Sequence, residues 1–286
     1  MSNAQIAIIG GSGLYDLPGL TNIKEVNEDT PFGKPSDTIV TGNLAGKNIA
    51  FLPRHGKGHK IPPSSIPVRA NIYALKSLGV EKIISVSAVG SLREEYKPLD
   101  MVVPHQLVDR TYKRTQSFFD NGPTAHISFS DPFCPSLSHL LYETTSSLHA
   151  TTHAGATMIV MEGPAFSTKA ESHMYRSWGG DIIGMTALPE AKLAREAEIC
   201  YSTLACVTDY DCWRESTEVV TVDMVVQNLS RNVETAKNII STIIEKIPMG
   251  RNCYCDSALK DSILTAKESV DQHTLEKLGI IISKYM

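Results

Sequence analysis

The sequence has no apolar run long enough to cross a bilayer. It also has no internal repeat and no low-complexity tract, and the first apolar run starts at once, at Gln5-Ile6-Ala7-Ile8-Ile9, with no leader pattern before it. The expectation is a soluble cytoplasmic protein without a membrane partner. Charge of either sign is scarce in excess: 27 Lys and Arg against 31 Asp and Glu give a formal net charge of −4. The pI is about 6.1. A nucleic-acid partner is therefore not expected. Two nucleotide-binding fingerprints are missing. Gly10-Gly11-Ser12-Gly13 follows the first apolar run, but G-x-G-x-x-G fails because Asp16 occupies the third glycine position, and no Gly-Lys-Ser/Thr follows to make a P-loop. His55 and His59 stand four apart, yet Gly56 and Gly58 lie between them without the carboxylate of H-E-x-x-H, so no metal is expected there. Of six cysteines, Cys134, Cys200, Cys206 and Cys212 lie in or beside apolar segments and read as buried thiols. Cys253 and Cys255 form a C-x-C pair in a polar stretch, too few ligands by themselves for zinc; they read as two reduced thiols near the surface, with a redox pair as the alternative.

Hydrophobic residues make up 42% of the 286, enough for a sizeable core without disulfides. Short β-branched runs alternate with helical spacing. Strands are predicted over Ile6–Ile9, Asn48–Leu52, Lys82–Val86, Met101–Val103, Thr157–Met161, Asp181–Ile183 and Ser202–Val207. Helices are predicted over Pro67–Leu78, Ser136–Leu148, Lys169–Trp178, Pro189–Tyr201 and Val222–Ile247, with one or two more after Ser257. This alternation implies a single α/β domain over 1–286 with a mixed, mostly parallel sheet and a C-terminal helical tail from about 248. No linker divides the chain.

Ligands of such proteins sit at strand ends, and four strand ends here carry polar chemistry. The Gly10–Gly13 turn offers backbone N–H groups and the Ser12 hydroxyl to a small oxyanion. Leu52-Pro53-Arg54-His55-Gly56 adds a guanidinium fork and an imidazole. Glu162, in Met161-Glu162-Gly163-Pro164, is either a surface or capping carboxylate or a buried acceptor for sugar hydroxyls, and Ser167 or Thr168 caps the next helix. Val207-Thr208-Asp209-Tyr210-Asp211 ends a buried strand in two carboxylates. At i and i+2 on an extended segment they point the same way, and burial with like charge raises carboxylate pKa values, which suits one of them to general-acid work.

These segments together resemble the purine nucleoside phosphorylase family, and within it the methylthioadenosine phosphorylases. The resemblance runs from Ile6 to about Ile247. It rests on Gly10-Gly11-Ser12-Gly13, Thr30-Pro31-Phe32-Gly33-Lys34-Pro35-Ser36-Asp37, Arg54-His55-Gly56, Ser87-Ala88-Val89-Gly90-Ser91-Leu92, Glu162-Gly163-Pro164, Met185-Thr186 with Pro189-Glu190, and Thr208-Asp209-Tyr210-Asp211. It implies an α/β sandwich with a distorted central sheet, assembled as a trimer or a dimer of trimers. The implied reaction is phosphate-dependent cleavage of methylthioadenosine to adenine and 5-methylthioribose 1-phosphate, with no metal or organic cofactor. A broader purine nucleoside phosphorylase acting on methylthioinosine, adenosine or inosine is the alternative, and a non-catalytic nucleoside binder is a third class.

Carried over by position, the resemblance gives phosphate to Ser12, Arg54, His55, the backbone of Ala88, and Thr186. Met185 lies against the ribose and hydrogen-bonds it through its backbone. Phe166 packs on the base, Ser167 completes the base edge, and Asp209 and Asp211 face N7 and the exocyclic amine. Val222, Val225 and Val226 line the 5′ pocket, and His126 reaches the 5′ pocket of a neighbouring subunit. Ser12 stands where some relatives carry Thr, and Ala165 where Arg is common. The C-x-C resembles the tail of thermophilic members, which implies a disulfide there.

Overall fold

The central strands of this protein are buried along most of their length, and that is what places the sheet between two helical layers. In the computed structural model, residues 4–11, 17–120, 122–148, 150–214 and 222–286 are described; within them the side chains of residues 222–226 and 229 are not. Strand β1 (Ile6–Gly10) is buried along its whole length. It pairs in parallel with β4 (Lys47–Pro53) and with β5 (Lys82–Ser91). The outer edge is an antiparallel pair, β2 (Thr21–Val26) and β3 (Ile39–Leu44), added to β4. The other half contains β6 (Met101–Arg110), β7 (Thr152–Met161), β8 (Ile182–Gly184) and β9 (Cys200–Asp209).

The strand order is β2-β3-β4-β1-β5-β8-β7-β6-β9, with β5 also paired to β9. That extra pairing closes β5, β8, β7, β6 and β9 into a ring fused to an open half-sheet. The expected mixed, distorted sheet is thus present, and the distortion has a cause: β5 divides its hydrogen bonds. Gly90 pairs with Ile183 of β8 on one side and with Asp209 of β9 on the other, next to a register shift at Val89/Gly90.

Alternation along the strands feeds two cores. Ala7, Ile9, Ala50 and Leu52 pack with α1 (Val68–Ser77) and α4 (Ala187–Glu196). Ile6, Ile8, Ile49 and Phe51 face the other way, onto α2 (Pro135–Ser147) and α5 (Val222–Lys246). On α5 the buried residues Ala236, Ile239, Ile240, Ile243 and Ile244 form one apolar stripe at helical spacing, continued by Ile247 just past the helix. Helix α3 (Lys169–Ser177) opens with the predicted cap: Thr168 accepts from the Glu171 N–H, and the Glu171 carboxylate returns to the Thr168 N–H.

Several predicted boundaries move: β5 and β6 run on to Ser91 and Arg110, and β7 begins at Thr152. Both edge strands were absent from the sequence reading, because β2 is exposed along its length and β3 is interrupted by Gly42 and Asn43. Gly42 is needed there, since a Cβ would lie 2.7 Å from Leu20 Cδ1. The helix predicted over Pro189–Tyr201 stops at Glu196. Glu198 takes a left-handed φ of 54°, and β9 begins at Cys200. After Ile247 the tail runs through short turns to α6 (Gln272–Leu278), and Leu259, Leu278, Ile281 and Ile282 of this tail join the first core. Among the described residues no helix is long and apolar enough to cross a membrane.

Candidate active site

The C-terminal ends of β1, β4, β5, β7, β8 and β9 hold the polar segments singled out above. On β5 only Ala88 and Gly90 interrupt a buried pattern, and they lie on one face of the strand. At its mouth the Ser87 and Thr186 hydroxyls are 2.9 Å apart. Thr186 is the residue before α4 and makes no capping bond to it. A pair of adjacent hydroxyls beside the exposed Ala88 backbone is suited to an oxyanion. Ser12 belongs to residues 12–16, outside the described part of the chain.

Arg54 is 2% exposed, and its fork is already filled. Nε and Nη2 reach the two oxygens of Glu190 at 2.9 and 3.0 Å, Nη2 also donates to Ser85 Oγ at 2.6 Å, and Nη1 to Val86 O at 3.1 Å. Tyr201 donates its hydroxyl to the same Glu190 at 2.9 Å. The fork that sequence reasoning gave to phosphate therefore holds a buried carboxylate. What Arg54 keeps for a ligand is its charge and the second Nη1 hydrogen, which has no acceptor among the described residues. His55 Nδ1 lies 2.8 Å from Ile61 O, and its ring stacks on His59. A carbonyl only accepts, so Nδ1 carries the hydrogen in the neutral ring and Nε2 offers a lone pair. Burial, aided by the charge of Arg54, pushes the His55 pKa down to about 4. The ring is neutral at neutral pH, so the expected charge response lies well to the acid side.

The acid pair is reached by a turn and not by the pleat of a strand. Asp209 is the last residue of β9. Asp211 has a left-handed φ of 50°, and its N–H donates to Asp209 Oδ1 at 2.7 Å. Thr208 donates to Asp209 Oδ2 at 2.7 Å, and Ser172 of α3 donates to Asp211 Oδ2 at 2.5 Å. Burial raises the pKa of both carboxyls above the ordinary range, outweighing these hydrogen bonds. A Cβ on Gly90 would lie 3.1 Å from Asp209 Oδ1 and 3.4 Å from Asp211 Cβ, so the missing side chain makes room for the pair. Asp209 thus faces Gly90 of β5, while Asp211 faces Ser172 and Ser167. Phe166 is 64% exposed on the same segment as Ser167.

Three residues that sequence reasoning missed, Arg114, Asn228 and Asn232, fix the surroundings. Arg114 is buried, and its guanidinium donates to Met161 O, Glu162 O, Met185 O and Leu188 O at 2.5–3.2 Å. It ties the ends of β7 and β8 together, and it already uses the Met185 carbonyl, leaving that atom one lone pair. Nothing in Tyr112-Lys113-Arg114-Thr115 signals an inward-facing arginine. Glu162 accepts from the N–H groups of Tyr112 and Lys113 and pairs with Arg114 at 3.4 Å. It is a buried internal anchor for the 112–114 loop, so of the alternatives above the surface or capping carboxylate is the one the structure corrects. Asn228 and Asn232 of α5 donate to the carbonyls of Thr208 and Val207 at 2.8 and 2.9 Å, which steadies the end of β9. Val222, Val225 and Val226 lie in the first turns of α5, with side chains outside the described residues. His126 is exposed and apart from this cluster, its N–H held by Ser262 O of the tail.

Burial works against ionisation of Glu162, but hydrogen bonds from Ser64, Tyr112 and Lys113 with the charge of Arg114 hold it at about 2, below the ordinary 4.5. A depressed folded-state pKa contributes stability that is complete above about 4.5 and is lost as pH falls towards 2. Thermal denaturation from pH 6 down to pH 3 is expected to show a steeper loss for the parent than for Glu162→Gln. Parallel curves would remove this anchor.

The sequence profile of the phosphorylase superfamily matches residues 5–245. The chain belongs to this family. It is 52% identical to the S-methyl-5′-thioadenosine phosphorylase of Koribacter versatilis over 282 residues, 99% of this chain and 97% of the relative. Among solved structures, a methylthioadenosine phosphorylase from an Antarctic soil metagenomic library superposes with a TM-score of 0.95 at 48% identity, covering 98% and 99% of the two chains. The methylthioadenosine phosphorylase of Schistosoma mansoni in complex with adenine superposes with a TM-score of 0.83 at 34% identity, covering 91% and 99%. This chain thus shares its fold with both solved structures.

Proposed function

We propose that this chain cleaves 5′-methylthioadenosine with inorganic phosphate, giving adenine and 5-methylthioribose 1-phosphate. The observation that carries the reading is the half-buried carboxyl pair at the end of β9, facing the Ala88/Gly90 side of β5 whose mouth holds the Ser87–Thr186 hydroxyl pair, in a family member half identical to named methylthioadenosine phosphorylases. Phosphate sits on Ser12, Thr186 and the Ala88 backbone within the positive field of Arg54. The neutral His55 accepts from a phosphate O–H through Nε2. A phosphate oxygen attacks C1′ as the C1′–N9 bond breaks through an oxocarbenium-like sugar. The bonding pair goes to the purine, and the proton on Asp209 goes to N7. Asp209 is given this role because it closes β9 against Gly90 of β5, whereas the Asp211 carboxylate is held by Ser172. Asp211, turned towards Ser167 and Ser172, accepts from the 6-amino group. Met185 lies against the ribose and Phe166 packs on the base. Val222, Val225 and Val226 receive the methylthio group, and His126 of a neighbouring subunit closes that pocket in a trimer or a dimer of trimers. The reaction itself uses no metal or organic cofactor.

Adenine release followed chromatographically with and without phosphate tests the function. Turnover is expected only with phosphate, and equal release in its absence would make the enzyme a hydrolase. On the 6-amino assignment, Asp211→Asn is expected to narrow the preference for methylthioadenosine over methylthioinosine in kcat/KM, because an amide can donate to a keto oxygen. An unchanged ratio would move recognition of the amine elsewhere. Adenosine is expected to fall ten- to a hundredfold behind methylthioadenosine, since a hydroxyl buried without a partner costs roughly 1–3 kcal/mol. Equal use of the two would count against the apolar 5′ pocket.

A further inference from the structure

The C-x-C pair lacks zinc ligands in its own segment, but the fold supplies two. The sulfurs of Cys134, Cys200, Cys253 and Cys255 all lie within 4.8 Å of one another. They come from three separate places. Cys134 precedes α2, Cys200 opens β9, and Cys253 and Cys255 stand in the segment after α5. All four are free thiols, three of them buried, with Cys200 and Cys253 Sγ 3.3 Å apart. We propose that these four cysteines form a closed tetrahedral thiolate site for one zinc ion.

The geometry suits that ion. A tetrahedron with zinc–sulfur bonds of about 2.3 Å has sulfur–sulfur edges of about 3.8 Å, inside the observed spread. A C-x-C spacing is short for zinc, and the local conformation explains how it serves. Cys253 is extended at φ −160°, ψ 166°, and the chain turns at once into a 3-10 turn over Tyr254–Ser257, which keeps the Cys255 sulfur within 4.8 Å of the Cys253 sulfur while Tyr254 is 45% exposed. The backbone holds the remaining ligands in place: the Cys134 N–H donates to Tyr201 O at 2.8 Å, the Cys200 N–H to Glu81 O at 2.9 Å, and Ser136 Oγ to Asn252 O at 2.9 Å. Thiols are weak donors and weak acceptors, so four of them gathered in a core satisfy one another poorly, whereas thiolates satisfy a soft divalent cation. Four thiolates on zinc leave a net charge of −2. Lys82, directly opposite Cys200 in the strand register and 5% exposed, shares Glu81 with Arg251, leaving one cation in excess beside the site.

The site is structural. Cys200 and Asp209 are the two ends of the same ten-residue strand, about 30 Å apart at 3.3 Å per residue. Four protein ligands leave no open position for a substrate. The ion would staple the segment after α5 to α2 and β9. From that segment the tail continues to Ser262, Ile263 and Leu264, which bond Thr124, Ala125 and His126.

The test is metal analysis of tag-free protein purified without chelators under reducing conditions. About one zinc per chain is expected, released in step with modification of the thiols by a mercurial. Cobalt exchanged into the site is expected to give thiolate charge-transfer bands and the visible bands of a tetrahedral centre. Cys253→Ser with Cys255→Ser is expected to fall below about a tenth of a zinc per chain, while Cys206→Ala, outside the cluster, keeps its metal. Should the double variant fail to fold, the parent's metal count and cobalt spectrum decide. Protein that neither carries nor takes up zinc, or whose intact mass shows these cysteines oxidised in pairs, overturns the proposal. So does stoichiometric iron in place of zinc.

Discussion

Asp209→Asn is expected to lose about 10²–10⁴ in kcat on methylthioadenosine, with little change in fold or in adenine binding. The amide keeps the shape: its Oδ1 still accepts from the Asp211 N–H, and its Nδ2 donates to the Thr208 hydroxyl, which turns its own proton to Val89 O. It cannot deliver a proton. Burial raises the pKa of this carboxyl, so the protonated form, which exists below that pKa, persists to higher pH than in an ordinary aspartate. Parent activity is therefore expected to fall as pH rises through the raised value. Asp211 is raised by burial and in part by the charge of Asp209, so the profile belongs to the pair. Single-turnover measurements on the variant separate proton delivery from product release. A kcat near that of the parent would show that Asp209 is not the acid.

Arg54→Ala is expected to be less stable by about 3–5 kcal/mol, the usual effect of leaving one member of a buried ion pair alone. Glu190 is 1% exposed and would keep only the Tyr201 hydroxyl among the partners described above. Urea denaturation of the variant reads the loss directly. Replacing both members, Arg54→Met with Glu190→Leu, is expected to recover part of it, because no buried charge is then stranded. If Arg54→Ala keeps its urea midpoint and instead raises the KM for phosphate, the guanidinium serves the ligand more than the fold.

How much of this was legible in the sequence depends on the kind of signal involved. β1 and β9 are buried strands flanked by polar turns, and their ends could be placed to within a few residues. Edge strand β2 could not be found, because an exposed edge needs no apolar pattern and owes its shape to its neighbour. The same limit applies inside the site. Asp209 and Asp211 were singled out from the residues alone, since two acids closing a buried run are costly without a purpose. Arg54 was noticed, but its partner Glu190 lies 136 positions away, and only the fold decides between a carboxylate and a phosphate for its fork. Arg114 had no local signal. The four cysteines read as two unrelated groups for the same reason, because sequence spacing cannot show three elements meeting.

Arg114 bears on affinity as well as on shape. One guanidinium, 4% exposed, fixes four carbonyls around the ends of β7 and β8. That stretch of backbone is set when the chain folds and has little freedom left to lose when a ligand arrives. Binding there is pre-organised, so conformational entropy subtracts little from the contacts made. Loosening Arg114 would return that motion to the empty site, and the ligand would then have to quench it at every turnover.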